Sequence, residues 1–257
     1  MVNEPIFDFH CHLESQWFDH ALMDRATFLE GLDRCGVRRA CIFTVMGFYG
    51  ESVAANDRLA ATAAEAPGRL IPFATVDPKQ GEAAVKELSR CLERGVFRGV
   101  KFHPWMQSFA STMVWPTMNR LLGLAADHGV PVLFHDGTPP YSTTFQIAAL
   151  ARRSPRTTVV LGHGGLADYT EAAAQLAAEI ANLHVCTCCP KAGDIQYLVQ
   201  RVGPEKVLFG SDFGVAGWRV LAERLDDLAH AGLSEAARGM VLWQNAERLL
   251  RLETSDA

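Results

Sequence analysis

The chain has 257 residues, 49% hydrophobic and 21% charged, with a net charge of −5. This length can bury a large core, either as one α/β domain or as two smaller units. The acidic balance, with no long Lys/Arg run, excludes the electrostatic footprint of a nucleic-acid binder.

Seven cysteines, odd in number and irregularly spaced, read as free and mostly buried thiols of a reducing compartment. The opening MVNEPIFDF lacks the basic and long apolar regions of a signal peptide. No apolar run reaches the roughly 20 residues of a membrane span. The expectation is a soluble cytoplasmic protein with a small-molecule substrate and neither nucleic acid nor membrane as partner; self-association is left open.

Short apolar runs at 6–12, 39–45, 70–77, 99–103, 131–135, 158–163, 183–187 and 206–212 have the length of buried strands. Between them, 25–36, 54–65, 81–93, 116–128, 144–153, 168–180, 194–202 and 219–230 carry helical periodicity, and a last amphipathic stretch spans 234–252. Gly36, Gly95 and Gly129 each follow a helical stretch, where a left-handed residue ends a helix. Eight strands alternating with helices predict parallel βαβ units, which close into a single-domain (β/α)₈ TIM barrel over 1–257. The alternative, a doubly wound open sheet, lacks its glycine-rich dinucleotide fingerprint.

Polar residues cluster where these strands end, the face on which such barrels build active sites. In the first strand, alternation puts Asp8, His10 and His12 on one face and Phe7, Phe9 and Cys11 on the other. With the apolar face packed under the helices, both imidazoles would converge at the mouth, an arrangement suited to a divalent cation. Lys101 and His103 share a face of the fourth strand. A lysine inside an apolar barrel needs a modification or a partner, such as Asp8 or Asp212, and His103, before Pro104, either faces the site or shapes a loop. His135, His163 and Asp212 end later strands. Together these residues would make a metal-bound water nucleophilic, with Asp212 as ligand, base or both. The thiols of Cys186, Cys188 and Cys189 read as packing, because no second pair completes a zinc site. His20, His128, His184 and His230 fall in helix or loop contexts and read as ordinary.

The ordered set His10-x-His12, Gly-Val-Lys-Phe-His-Pro at 99–104, Phe-His-Asp-Gly at 134–137, Gly-His-Gly-Gly at 162–165, Phe-Gly-Ser-Asp at 209–212 and Asn-Ala-Glu-Arg-Leu-Leu at 245–250 resembles the amidohydrolase-related proteins. The resemblance spans nearly the whole chain. It implies a distorted TIM barrel and a divalent metal, usually zinc and sometimes manganese. It implies His10, His12, His135 and Asp212 around the metal, with Asp212 also as general base. His163 would bind a second metal or polarise the substrate. Lys101 sits where binuclear members carry a carboxylated lysine, so one or two ions remain open.

The family holds both hydrolases and decarboxylases of small aromatic or unsaturated acids, and the fold does not choose between them. The short chain and the Gly-Val-Lys-Phe-His-Pro motif favour hydrolysis of an ester, lactone or amide, with His163 or Lys101 stabilising the oxyanion. Decarboxylation is the alternative, and a non-catalytic metal-binding protein a lower one. His103, Trp105, Tyr141, Phe213 and Arg219 are candidate substrate contacts. Phe48, Tyr49 and Met106 lie on the same predicted loops.

Overall fold

The computed structural model describes residues 4–14, 16–17, 20–21, 23–215 and 217–252, with backbone alone at 17, 20 and 21. The chain runs β1 (Ile6–His12), the short antiparallel pair β2 (Gln16–Trp17) and β3 (His20–Ala21), α1 (Arg25–Arg34), β4 (Val37–Phe43), α2 (Ser52–Ala64), β5 (Leu70–Ala74) and α3 (Glu82–Glu93). It continues through β6 (Gly99–Phe102), α4 (Trp115–Asp127), β7 (Val132–Phe134), α5 (Thr144–Arg153), β8 (Val159–Leu161) and α6 (Thr170–Glu179). Then come β9 (Leu183–Cys186), α7 (Ala192–Val202), β10 (Val207–Leu208), α8 (Trp218–Ala229), α9 (Glu235–Gly239), a π-helical turn at Met240–Gln244, and α10 (Asn245–Leu250).

The eight long-range strands pair in parallel in the order β1-β4-β5-β6-β7-β8-β9-β10. Phe9 N donates to Phe209 O at 2.9 Å, Asp212 N to His10 O at 2.9 Å and His12 N to Phe213 O at 2.7 Å, so the last strand returns to the first. The result is the expected (β/α)₈ barrel. Helix ends follow their local chemistry. Asp24 caps α1 by accepting from Thr27 N at 2.9 Å, Thr143 and Gln146 form a capping box on α5, and Gly36 (φ 70°) takes the left-handed turn after α1. The eighth strand is shorter than the 206–212 expected. A 3₁₀ turn occupies Pro204–Lys206, and beyond Leu208 the chain turns through Gly210, Ser211 and a left-handed Asp212 (φ 64°). His184 is in β9, as the apolar run 183–187 implies and against its grouping with the helix and loop histidines, and the side chain of His20 lies outside the described residues.

Two apolar layers result. Ala40, Ile42, Val100, Phe134, Leu161 and Val185 pack outward against the helices. Phe7, Phe9, Phe43, Phe73, Leu133 and Leu208 fill the interior, closed below by Ala246 and Leu250. Burying each such side chain stabilises the fold by roughly 1.5–3 kcal/mol. Here the strict alternation expected for the first strand fails. Phe7 and Phe9 point into the barrel, not under the helices. Pairing of β1 with β4 runs Asp8↔Ala40 and then Cys11↔Ile42, so β1 carries one extra residue between those pairs. This bulge shifts the side-chain parity. Below it Phe7 and Phe9 face inward; above it Cys11 joins the outer layer and His10 meets the inward Phe43 ring at 5.0 Å.

Candidate active site

The bulge, the strand ends and the closing turn bring seven ionisable side chains to one mouth of the barrel. Ring centroids of His10 and His12 lie 5.7 Å apart, His10 and His163 4.7 Å, His163 and His135 4.4 Å, and His135 stacks on His103 at 3.7 Å. Lys101 is fully buried. Its Nζ lies 3.1 Å from His10 Nε2 and 4.4 Å over the Phe43 ring. Of the partners weighed for this lysine, Asp212 acts on it electrostatically, while Asp8 is engaged elsewhere.

Hydrogen bonding sets the imidazole tautomers. His10 Nδ1 lies 2.9 Å from Gly162 O, so it donates there and Nε2 keeps the lone pair. His135 Nε2 is 2.7 Å from Thr138 Oγ1. Burial lowers the pKa of His10, with Lys101 and His163 adding to the effect, and burial likewise lowers His12, His103 and His135. Neutral imidazole is the ligand form. His163 differs: burial disfavours its charge, but contact with Cys189 and the nearby Asp212 outweigh burial and raise its pKa. Burial pulls Lys101 down to about 8, so it is largely cationic at neutral pH. Asp212 is pushed up by desolvation, yet His12, His163 and His10 more than offset this and hold it well below the usual carboxylate range.

Asp212 Oδ1 lies 3.1 Å from His12 Nε2 and 3.4 Å from His10 Nε2, and among the described residues it has no well-aligned hydrogen-bond partner. A buried acceptor left unpaired costs about 1–3 kcal/mol. A divalent cation beside Asp212 and these imidazoles would satisfy it, and carboxylate and imidazole are donors that fit such a metal.

Two buried carboxylates hold this mouth together. Asp8 accepts from His10 N at 3.1 Å, from Ser211 N at 3.1 Å and from Ser211 Oγ; Ser211 Oγ in turn accepts from Phe213 N at 3.1 Å. That network clamps the turn in which Asp212 adopts φ 64°, a conformation that costs a non-glycine residue energy. Asp136 accepts from His163 N at 2.7 Å, Gly165 N at 2.8 Å and Thr144 Oγ1 at 3.1 Å, fixing the loop that presents His163. Desolvation raises both acids, Asp8 to about 6. Gly162 and Gly210 leave room for His10: a Cβ on either would come within 3 Å of it. Sequence reasoning assigned no positioning role to Asp8 or Asp136; the lone carboxylate of Asp8 in an otherwise apolar run and the position of Asp136 next to His135 were the available signals.

Other expected contacts divide. His103 lies at the mouth with Phe48 (5.5 Å) and the half-exposed Trp105 (6.4 Å) beside it. Tyr141 is partly buried on the loop after β7, within the Thr138–Ser142 turn. Phe213 does not wall a substrate pocket. It is fully buried in the outer layer, stacked on Phe28 at 4.8 Å, because the left-handed Asp212 turns the next side chain toward the helices. Arg219 is exposed on the first turn of α8, and among the described residues no contact joins it to the cluster. Cys188, read from sequence as packing, places its thiol within 4.8 Å of the ligand atoms of His10 and Asp212.

The fold is a (β/α)₈ barrel whose mouth gathers residues of the types that hold a divalent cation. A family model described as amidohydrolase matches residues 7–252, and the chain belongs to that family. No curated protein sequence matches it. Among solved structures it is similar to 2,6-dihydroxybenzoate decarboxylase complexed with 2,6-dihydroxybenzoate (TM-score 0.78, 18% identity, 98% of this chain and 100% of that one). It is also similar to 5-carboxyvanillate decarboxylase LigW from Sphingomonas paucimobilis (0.76, 16%, 96% and 99%). A third is dihydroxybenzoic acid decarboxylase from Polaromonas sp. JS666 with bound manganese and 2-nitroresorcinol (0.74, 18%, 98% and 98%). Among the described residues no helix is long and apolar enough to cross a membrane.

Proposed function

We propose that this chain is a metal-dependent decarboxylase of a small aromatic or unsaturated carboxylic acid. The observation that carries the reading is its likeness, over nearly its full length, to aromatic-acid decarboxylases. The preference for hydrolysis rested partly on the short chain. That argument loses its force, because the match spans 98–100% of those decarboxylase chains.

His10, His12 and Asp212 would hold the cation, with His135 contributing its Nδ1, since Thr138 engages Nε2. A bound divalent ion supplies positive charge that orients an anionic substrate and stabilises developing negative charge. The protein groups do the rest. Lys101, cationic and buried, faces an anionic carboxylate or phenolate, an interaction strengthened by the dry surroundings. The half-exposed Trp105, beside His103 at the mouth, would offer a ring face to an aromatic ring. In the reaction the bond from ring carbon to carboxylate breaks, carbon dioxide leaves, and its bonding electrons stay on the ring carbon, which takes a proton. Asp212 at the mouth would pass that proton, and the nearby His163, whose pKa is raised, would resupply it.

The test is a panel of hydroxylated benzoic acids, small unsaturated acids, lactones, esters and amides, with the protein loaded separately with zinc and manganese. Carbon dioxide release from an acid, without turnover of any hydrolysable compound, is expected. Hydrolysis without carbon dioxide release would restore the hydrolase reading, in which the same groups activate water and stabilise an oxyanion.

A further inference from the structure

We propose that Cys188 is a thiolate ligand of the metal in this mouth, and that the chain therefore selects zinc over manganese. The inference rests on the metal-dependent reading above. Cys188 follows β9, and its side chain points inward into the cluster formed by the barrel interior. Its Sγ and the ligand atoms of His10 and Asp212 all lie within 4.8 Å of one another. The thiol is 2% exposed and His10 is fully buried. Independently of the sulfur, Asp212 Oδ1, beyond the neighbouring strand β10, is a buried acceptor without a hydrogen-bond partner among the described residues, 3.4 Å from His10 Nε2.

Ligand chemistry decides what such a site prefers. Carboxylate and imidazole alone serve manganese and zinc, whereas a thiolate favours the softer zinc. The atoms that lie together, from His10, Asp212 and Cys188, offer nitrogen, oxygen and sulfur, and an imidazole of His12 or His135 beside them would complete a mixed thiolate set of the kind zinc takes. Manganese is the metal named with two of the structurally similar decarboxylases. The thiol would bind as thiolate, its proton leaving to solvent on metal uptake. Cys189 is not equivalent: its Sγ is directed at His163 Nδ1, 3.5 Å away. Cys186 lies lower on β9, in the apolar interior.

The metal-free protein, titrated with cobalt(II) as a spectroscopic stand-in for zinc, tests this without reference to turnover. Wild type and Cys189→Ser are expected to develop a near-ultraviolet sulfur-to-cobalt charge-transfer band; Cys188→Ser is expected to bind cobalt without it. The zinc-over-manganese binding ratio should fall by roughly tenfold or more in Cys188→Ser, a size typical of perturbing a metal's immediate surroundings. Zinc-edge X-ray absorption on wild type gives the answer even if that variant does not fold, with a sulfur scatterer expected at about 2.3 Å. Cobalt bound with no charge-transfer band, or a band that survives in Cys188→Ser, overturns the assignment and leaves the metal reading intact. Failure of wild type to bind cobalt or zinc overturns both.

Discussion

Below His10 the barrel interior is hydrocarbon: Phe7, Phe9, Phe73, Leu133 and Leu208 interlock over Ala246 and Leu250. Above it, inward-facing positions of the same barrel carry His10, His12, Lys101, His103, His135, His163 and Asp212. The lower half is buried and the upper half largely so, yet they do opposite things to the folding free energy. The lower half gains from every apolar group removed from water. The upper half spends part of that gain on desolvated ionisable groups and on an unpaired carboxylate oxygen. Such an arrangement persists where function demands it, and the clamps from Asp8 and Asp136 show how rigidly it is held.

The contrast implies that substitutions above and below His10 separate activity from stability. The largest effect is expected from Asp212→Asn. Turnover should fall by roughly 10²–10⁴-fold, as for loss of a proton-transfer group, with circular dichroism and melting temperature little changed. A variant within about tenfold of wild type would remove Asp212 from the chemistry.

Phe9→Ala should do the reverse. Deleting a fully buried phenylalanine is expected to cost about 3–5 kcal/mol in denaturant unfolding, while the folded fraction retains its metal content. A loss below about 1 kcal/mol would mean that the lower interior is not the tightly packed core described.

Acid stability probes the lower half a second way. Burial, with Lys206 and Arg248 nearby, holds His184 neutral down to about pH 4, against 6.5 for the free side chain. The folded value is depressed, so the unfolded chain binds the extra proton first. The contribution of His184 to stability is complete above pH 6.5 and is lost as the pH falls toward 4. His184→Gln should therefore flatten the loss of stability between those values, by roughly 2–3 kcal/mol at the acid end. Identical pH profiles for the two proteins would show that His184 titrates normally.

The smallest effect belongs to Arg219→Ala. With the side chain exposed and off the cluster, both stability and kcat/KM should stay within about 0.5 kcal/mol of wild type. A clear rise in KM would instead restore Arg219 as a substrate contact.

Much of the fold was legible because the signals are local. Eight apolar runs of strand length, separated by helical periods and punctuated at Gly36, Gly95 and Gly129, predicted the element order and the barrel. The site was legible where a polar residue ended an otherwise apolar run, as at His135 and His163. It was misread where parity was carried across an irregularity. The β1 bulge put Phe7 and Phe9 inside, although simple alternation placed them under the helices, and the left-handed Asp212 sent Phe213 into the outer layer.

What the sequence by itself determined is the class and order of the eight barrel strands and the helices between them, and the residues standing near strand ends. Periodicity and turn chemistry act over a few residues and need no partner. What only the tertiary structure decided is which of those residues meet. The Asp8–Ser211 clamp joins residues 203 positions apart, and Lys101 meets His10 across 91. Such contacts, like the approach of Cys188 to His10 and Asp212, depend on register and on closure of the ring. One residue of bulge in β1 changes which atoms face the interior, and no local pattern records it.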